Sequence, residues 1–330
     1  MPNFIWHEFI PQEKTLMQFP YLEIIERLHS NQFRFYYVLL EEANKPIAFF
    51  YFQETNFFGT NLLPYFPSTE QSNFFKKIGA NFLSFFKLLI AKVRIPMLVV
   101  GNIFMTGETG CVCINPDDKE EIHRLQMLAI DAICKCDWRI KVVLNGDLYE
   151  SQMDELKAYR ESNFRKIFVE DDNAMDISKF GSYEDYLSAL HSKYRVREKR
   201  IMKMSEKITS KVLSLEDVLL LQYPIYALYK RVADKVDFKL GELDKHFFYE
   251  QKQLLPENYF LRAYFLEDNL CGFVSLYTLD NHAEVHYFGM DYSLLKEYHL
   301  YQRMLYDTLQ FCIEKNLSHI HFGRTAPEVK

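Results

Sequence analysis

The chain has 330 residues, a formal net charge of −6, 48% hydrophobic and 25% charged residues. That composition excludes a disordered or collagen-like chain, and the acidic balance excludes a dedicated duplex-DNA binder, whose domain is basic overall. Aromatic residues reach 16%, with 29 Phe and 22 Tyr, which predicts aromatic-lined cores or clefts.

A single core rarely grows past about 250–300 residues, so two domains are expected. The start, MPNFIWHEFIPQEK, has no basic run followed by an apolar one, so no signal peptide is read. The most apolar window, FLSFFKLLIAKVRIPMLVV, is interrupted by Lys87, Lys92 and Arg94 and does not read as a membrane span. A cytoplasmic protein is expected.

The first strong signal is FRFYYVLLEE, then ANKP, then IAFFYFQET: two strands around a turn. Residues 70–93 read as a helix with Phe74, Phe75, Ile78, Phe82, Phe85, Phe86 and Leu89 on one face. Lys76, Lys77, Lys87, Lys92 and Arg94 flank that face, so a core-facing helix and a helix lying on the inner face of an anionic membrane are both open. MLVVGN reads as a short strand and GNIFMTGETG as a turn. Its glycines do not make a phosphate loop, because no Lys follows the last one. Asn102, Thr106 and Glu108 of that turn are candidate acceptor contacts.

The six cysteines include the pairs Cys111/Cys113 and Cys134/Cys136. One residue separates each pair, where zinc ligands prefer two or more, so buried reduced thiols are expected and no metal. Residues 117–135 read as a helix, RIKVVLN as a strand, YESQMDELKAYRES as a helix and FRKIFVE as a strand. DNAMDISKFGS interrupts the pattern and is taken as the boundary between an N-terminal half, 1–175, and a C-terminal half, 176–330.

A long helix is expected from about Tyr183 to Ile208, and others over 216–235 and DKHFFYEQKQLL. The stretch HSKYRVREKR, with five Arg and Lys in ten positions, lies in the first of these. Lys193, Arg197, Arg200, Lys203 and Lys207 project as one stripe beside Leu187, Leu190, Tyr194, Ile201, Met204 and Ile208, with Arg195 and Lys199 pointing elsewhere. The stripe is a solvated shoulder, the wall of an anionic donor or acceptor cleft, or a nucleic-acid contact. Lys193, Arg197 and Arg200 are candidate binding residues.

Strands YFLRAYFLE, NLCGFVSLYTL and AEVHYFGM follow, with Asp268-Asn269 and Asp280-Asn281 at the turns. A helix over 293–315 and a strand, SHIHFG, complete the order. The result is an α/β chain of mixed sheets. In AEVHYFG, alternation puts Glu284 and His286 on one face and Val285 and Tyr287 on the other. A carboxylate and an imidazole on one strand face can relay a proton; a solvated polar face is the alternative. Asp291 and Tyr292 follow at the strand end, where functional groups gather in α/β folds. Tyr292 is a candidate donor to a leaving group, and Tyr301 lines the next helix. In GRTAPEVK, Arg324 suits a phosphate or carboxylate, or a salt bridge to Glu328. The chain stops soon after a strand, so further C-terminal elements are expected beyond Lys330.

GNIFMTGETG, YEDYLSALHSKYRVREKR, YFGMDY and HFGRTAPEVK, in that order, resemble the FemAB-like branch of the GNAT acyltransferases, a bacterial group tied to peptidoglycan biosynthesis. The resemblance runs from about residue 95 to the end. It implies two tandem GNAT-like halves with a long helix after the boundary, and transfer of an acyl or aminoacyl group to an amine. It makes Glu284, His286 and Tyr292 the expected catalytic set. It adds Arg324, Thr325 and Lys330 to the substrate-binding residues, with Asp291 and Tyr301. FemAB relatives draw on charged tRNA, and ordinary GNAT members on acyl-CoA, whose pyrophosphate sits in a Gly-rich turn. Here that turn is MDYSLLKEYHLYQR, without glycine. The donor therefore stays open between acyl-CoA, another acyl donor and tRNA, with no tightly bound cofactor expected. The expected acceptor is an amine on an envelope precursor, amino acid or lipid. A catalytically silent binding module for an envelope precursor or RNA is the alternative.

Overall fold

The structure is a computed structural model that describes residues 9–11, 14–58, 93–105, 110–115, 118–146, 164–165, 172–236 and 239–323. The expected helices at 70–93 and 149–162 and the strand at 164–170 fall outside these residues or almost so. The chain divides into two compact units. One comprises Met1–Ile10, Ile25–Arg165 and Val236–Leu243; the other comprises Pro11–Ile24, Lys166–Lys235 and Asp244–Lys330.

In the first unit, β1 (Arg34–Glu42) and β2 (Lys45–Phe58) form the expected hairpin. Ala43 and Asn44 close it with φ of 48° and 64°, the two left-handed residues of a tight hairpin turn. β3 (Arg94–Val100) pairs antiparallel with β2, and β5 (Val142–Asn145) runs parallel to β3. A short strand that alternation did not reveal, β4 (Cys111–Cys113), pairs with Ala48–Phe50 of β2. The helix Lys119–Cys136 lies over this sheet and buries Leu125, Ala129, Ile130 and Ile133 against Ala48, Phe50, Phe52 and Leu98. Asp118 caps it, accepting from the Glu121 N–H at 3.0 Å, and Glu120 and Glu121 favour its first turn.

The GNIFMTGETG turn has a structural explanation. Gly101 and Gly110 have positive φ, and the Tyr51 peptide bridges them, donating to Gly110 O and accepting from Gly101 N–H. A Cβ on Gly110 would stand 2.3 Å from Gly101 Cα. The two glycines thus let the loop close at its base.

The second unit holds a six-stranded mixed sheet in the order β6-β11-β10-β9-β8-β7. The strands are β6 (Ala174–Asp176), β7 (Ile208–Val212), β8 (Tyr259–Leu266), β9 (Asn269–Leu279), β10 (His282–Met290) and β11 (His319–His321). Neighbours are antiparallel except β10 and β11, which run parallel. The segment expected to be an irregular boundary therefore supplies an edge strand, β6.

One face of this sheet, with Val274, Leu276, Val285 and Ile320, packs on Tyr183, Tyr186, Leu300, Met304, Leu309 and Cys312. The other face carries the helices Gln222–Ala233 and Phe247–Leu254, through Tyr229, Phe248, Phe273 and Tyr287. Gly289 makes room there: a Cβ would meet the Phe273 ring at 2.1 Å and the Leu228 backbone at 2.9 Å.

Three expected helices are broken. The long helix over 183–208 is two, Tyr183–Ala189 and Ser192–Met204, and Ile208 already belongs to β7. Leu190 and His191 are extended, both with ψ of 147°, and the Arg195 guanidinium donates to the carbonyls of Ser188 and Leu190. The helix over 216–235 splits into Leu215–Leu220 and Gln222–Ala233; Pro224 has no N–H for the carbonyl of Leu220. The helix over 293–315 is interrupted at His299, which adopts a left-handed φ of 49° between Leu295–Tyr298 and Leu300–Glu314. Apolar periodicity runs through all three breaks and so does not mark them.

Candidate functional site

The centre of β10 is irregular. Val285 pairs with Leu276 and Tyr287 with Ser275, leaving His286 without an opposite residue. This is a β-bulge, one extra residue that re-aims its neighbours. Ser275 secures it by accepting the Tyr287 N–H at 3.1 Å. Strict alternation, with Tyr287 opposite Glu284, therefore does not hold. Glu284, paired with Tyr277, and Tyr287, paired with Ser275, share one face, and Val285 stays in the core on the other. The His286 ring joins the first face, 4.3 Å from the Tyr287 ring, 5.1 Å from Tyr277 and 5.5 Å from Phe247.

Residues that alternation did not single out converge on Glu284. Its Oε1 lies 3.6 Å from His282 Nε2 and 3.9 Å from His321 Nδ1. His321 Nδ1 lies 3.5 Å from Asp172 Oδ2. The Glu284 side chain keeps only 13% of its surface exposed. Burial first, and then the neighbouring His321, hold the His282 ring below the ordinary histidine range. The register explains the convergence: Glu284 stands opposite His321, and His282 opposite His319. The signal was present in the chain as His-x-Glu-x-His at 282–286 and His-x-His at 319–321, alternations that load one strand face.

The other candidates are placed differently. Asp291 caps the turn after β10, accepting from the Ser293 N–H and hydroxyl, and its second oxygen accepts from Arg231 at 2.9 Å. Those partners, Ser293 first, hold its carboxyl below the usual range. Tyr292 and Tyr301 pack against the opposite, helix-covered core, Tyr301 edge-on to Phe288 at 5.3 Å. The structure thus separates both from Glu284 and His286. Lys235 lies 3.3 Å over the Tyr292 ring. Asn102 is buried in the other unit, its carbonyl taken by the Phe104 N–H at 3.0 Å and Gln53 Nε2 at 3.3 Å. It holds a turn rather than facing solvent. Thr106, Glu108, Arg324, Thr325 and Lys330 lie outside the described residues.

Lys193, Arg197 and Arg200 are exposed on the Ser192–Met204 helix, together with Lys199, Lys203 and Val196. None of these cations has a carboxylate partner among the described residues. At 100° per residue they span the whole solvent side, while Ile201 and Glu198 point inward. Lys199 thus belongs to the basic face, and Lys207 lies past the helix end. Cys111, Cys113 and Cys134 are half-buried and Cys136 is exposed, rather than all being buried. Among the described residues no three His, Cys, Asp or Glu side chains stand in a geometry that would hold a metal ion.

Directly after β10 the first backbone N–H groups of the turn are already engaged. The Ser293, Leu294 and Leu295 N–H groups are taken by Asp291 Oδ1, Asp291 O and Tyr292 O. Among the described residues no helix is long and apolar enough to cross a membrane.

No family model matches the chain, and no curated protein matches its sequence. Its fold matches solved structures. FemX aligns over 98% of this chain and 88% of its own, with a TM-score of 0.53 at 9% identity. A conserved protein of unknown function from Bacteroides thetaiotaomicron aligns over 95% and 84%, with a TM-score of 0.48 at 12% identity. L-PGS from Bacillus licheniformis aligns over 92% and 75%, with a TM-score of 0.46 at 12% identity. Only the first of these has a TM-score above 0.5, and the chain has the fold of FemX.

Proposed function

We propose that the protein is an N-acyltransferase that moves an acyl or aminoacyl group to an amine. The observation that carries this reading is the bulged β10, which presents Glu284 and His286 together on one face beside a parallel strand. In the transfer the amine nitrogen bonds to the acyl carbon and the carbon–sulfur or carbon–oxygen bond to the donor breaks. The electron pair leaves with the donor, and the amine proton passes to Glu284. His286, ringed by aromatic side chains, shapes the wall beside it.

The donor reading favours charged tRNA over acyl-CoA. The Ser293, Leu294 and Leu295 N–H groups, directly after β10, are engaged within the turn. The cations Lys193, Arg197, Lys199, Arg200 and Lys203 stand on the helix Ser192–Met204, whose Glu198 accepts from Tyr183 of the core on the face opposite Glu284. A long polyanion reaches both faces of the sheet; a small thioester does not. The acceptor is an amine of an envelope precursor, amino acid or lipid, and the protein acts on the cytoplasmic side, at or near the inner face of the membrane. The same engaged turn favours a second reading, a GNAT-like module that binds such a precursor or RNA without turnover.

The test is transfer of radiolabelled acyl groups from acyl-CoA and from charged tRNA to muropeptide amines. Glu284→Gln and His286→Ala are expected to abolish transfer without lowering the melting temperature by more than a few degrees. Full activity in both variants removes the catalytic assignment. Binding of muropeptide or tRNA with no transfer from either donor decides for the module.

A further inference from the structure

Asp172 stands just before β6, and backbone pairing holds it beside His321. The Phe322 N–H donates to Asn173 O at 2.7 Å, and the Asn173 N–H and side-chain amide both donate to Gly323 O. One carboxylate oxygen, Oδ2, faces His321 Nδ1 at 3.5 Å. The other, Oδ1, is buried without a hydrogen-bond partner among the described residues. A buried carboxylate oxygen without a donor is costly, so what faces the group on its other side matters more than usual.

The same Nδ1 faces Glu284 Oε1 at 3.9 Å. A ring nitrogen has either a lone pair or a proton in its plane. A lone pair aimed at two carboxylates is repelled by both; a proton is attracted by both. His319, the ring two residues earlier on the same strand, is placed otherwise: its Nδ1 lies 2.7 Å from the Ser318 hydroxyl. Both carboxylate distances exceed hydrogen-bond length by a few tenths of an ångström or more. A small rotation of the ring closes either one, and catalytic hydrogen bonds are often long before substrate binds.

We propose that Asp172 and His321 are a positioning pair for Glu284: Asp172 keeps the His321 proton on Nδ1, and that N–H orients the Glu284 carboxylate as the base. The pair rests on the acyl-transfer reading for its purpose, but not for its existence. Asp172 touches no substrate and acts only through the ring. No proton leaves the pair in the reaction. The amine proton goes to Glu284, and His321 keeps its own.

Nitrogen-15 NMR of the full chain labelled at histidine tests the pair without substrate. In the neutral ring, reached by raising the pH until the ring shifts stop changing, His321 is expected as the Nδ1–H tautomer, and Asp172→Asn is expected to move that proton to Nε2, the form favoured in free imidazole side chains. An Nε2–H ring in the parent protein, or a tautomer unchanged by Asp172→Asn, overturns the proposal even if acyl transfer is found. Where transfer is measurable, Asp172→Asn should lower kcat at least about tenfold with KM little changed, as expected for a misdirected base. His321→Asn keeps an N–H donor near the Nδ1 position and should retain most of the rate that His321→Ala loses. Equal rates in His321→Ala and the parent protein overturn the proposal. Absence of any transfer overturns the acyltransferase reading alone, since the tautomer still decides on the pair. Thermal unfolding of each variant separates these effects from loss of fold.

Discussion

Tyr287 donates its backbone N–H to Ser275 Oγ at 3.1 Å, across a bulge at which His286 faces no residue of β9. Ser275 is wholly buried, so its hydroxyl is the local partner that makes the irregular register tolerable. Ser275→Ala leaves a strand N–H unsatisfied in the core. It is expected to destabilise the protein by about 1–3 kcal/mol and to loosen the aim of His286. Urea unfolding and the acyl-transfer assay, run together, check this; unchanged stability would show that the bulge holds without the hydroxyl.

A second polar cluster lies under the helix Leu300–Glu314. Arg303 Nε donates to Asp307 Oδ1 at 2.8 Å, Arg303 Nη1 to Ser205 Oγ at 3.2 Å, and Ser210 Oγ to Asp307 Oδ2 at 3.4 Å. Removing Asp307 leaves the partly buried Arg303, with 20% of its side chain exposed, without its carboxylate. Asp307→Ala is expected to cost about 1.5–3 kcal/mol, and the double change Arg303→Met with Asp307→Leu distinctly less. Denaturant midpoints of the two variants decide the order.

Glu198 is buried beneath the basic helix, its Oε1 accepting from the Tyr183 hydroxyl at 3.3 Å. Burial raises its carboxyl above the ordinary range, against the opposing pull of that hydrogen bond. The folded state then binds the proton more tightly than the unfolded one. The group favours folding at low pH, and this is lost as pH rises through the raised value. Glu198→Gln should therefore raise the melting temperature at neutral pH, and the gain should shrink as pH falls below the ordinary carboxylate range. A gain that persists undiminished in acid would point to packing instead.

Lys193, Arg197, Lys199, Arg200 and Lys203 share the solvent side of one helix without carboxylate partners among the described residues. If the donor is tRNA, Arg197→Gln with Arg200→Gln should raise its KM. The slope of log affinity against log salt should fall by about 1–2, because each phosphate neutralised by a side chain releases close to one counterion. Unchanged kinetics and slope would return these residues to ordinary solvated surface.

Much of the fold was legible locally. Alternation marked β1, β2, β8, β9 and β10, and short polar turns marked their ends. At residues 43–44 both turn residues are left-handed, as are Glu267 and Asp268 between β8 and β9. The helix Lys119–Cys136 announced itself by its acidic start and apolar face. These features depend on neighbours within a few residues, which is why a linear reading reaches them. The helix breaks at Leu190–His191 and His299 do not, because an arginine side chain and a single left-handed residue interrupt an otherwise continuous apolar period.

Local patterning places Glu284 and His286 on one strand with chemistry-bearing neighbours, and a basic cluster on the face of a helix. Which groups meet depends on how the strands pair. Parallel pairing of β10 with β11 sets His321 opposite Glu284, and the β6 edge brings in Asp172 from far along the chain. The bulge turns Tyr287 onto the Glu284 face, while Tyr292 and Tyr301 go to the other. Register accounts for the difference. A two-residue period holds only while each residue has one partner, and whether it does is settled by the neighbouring strand, not by the strand itself.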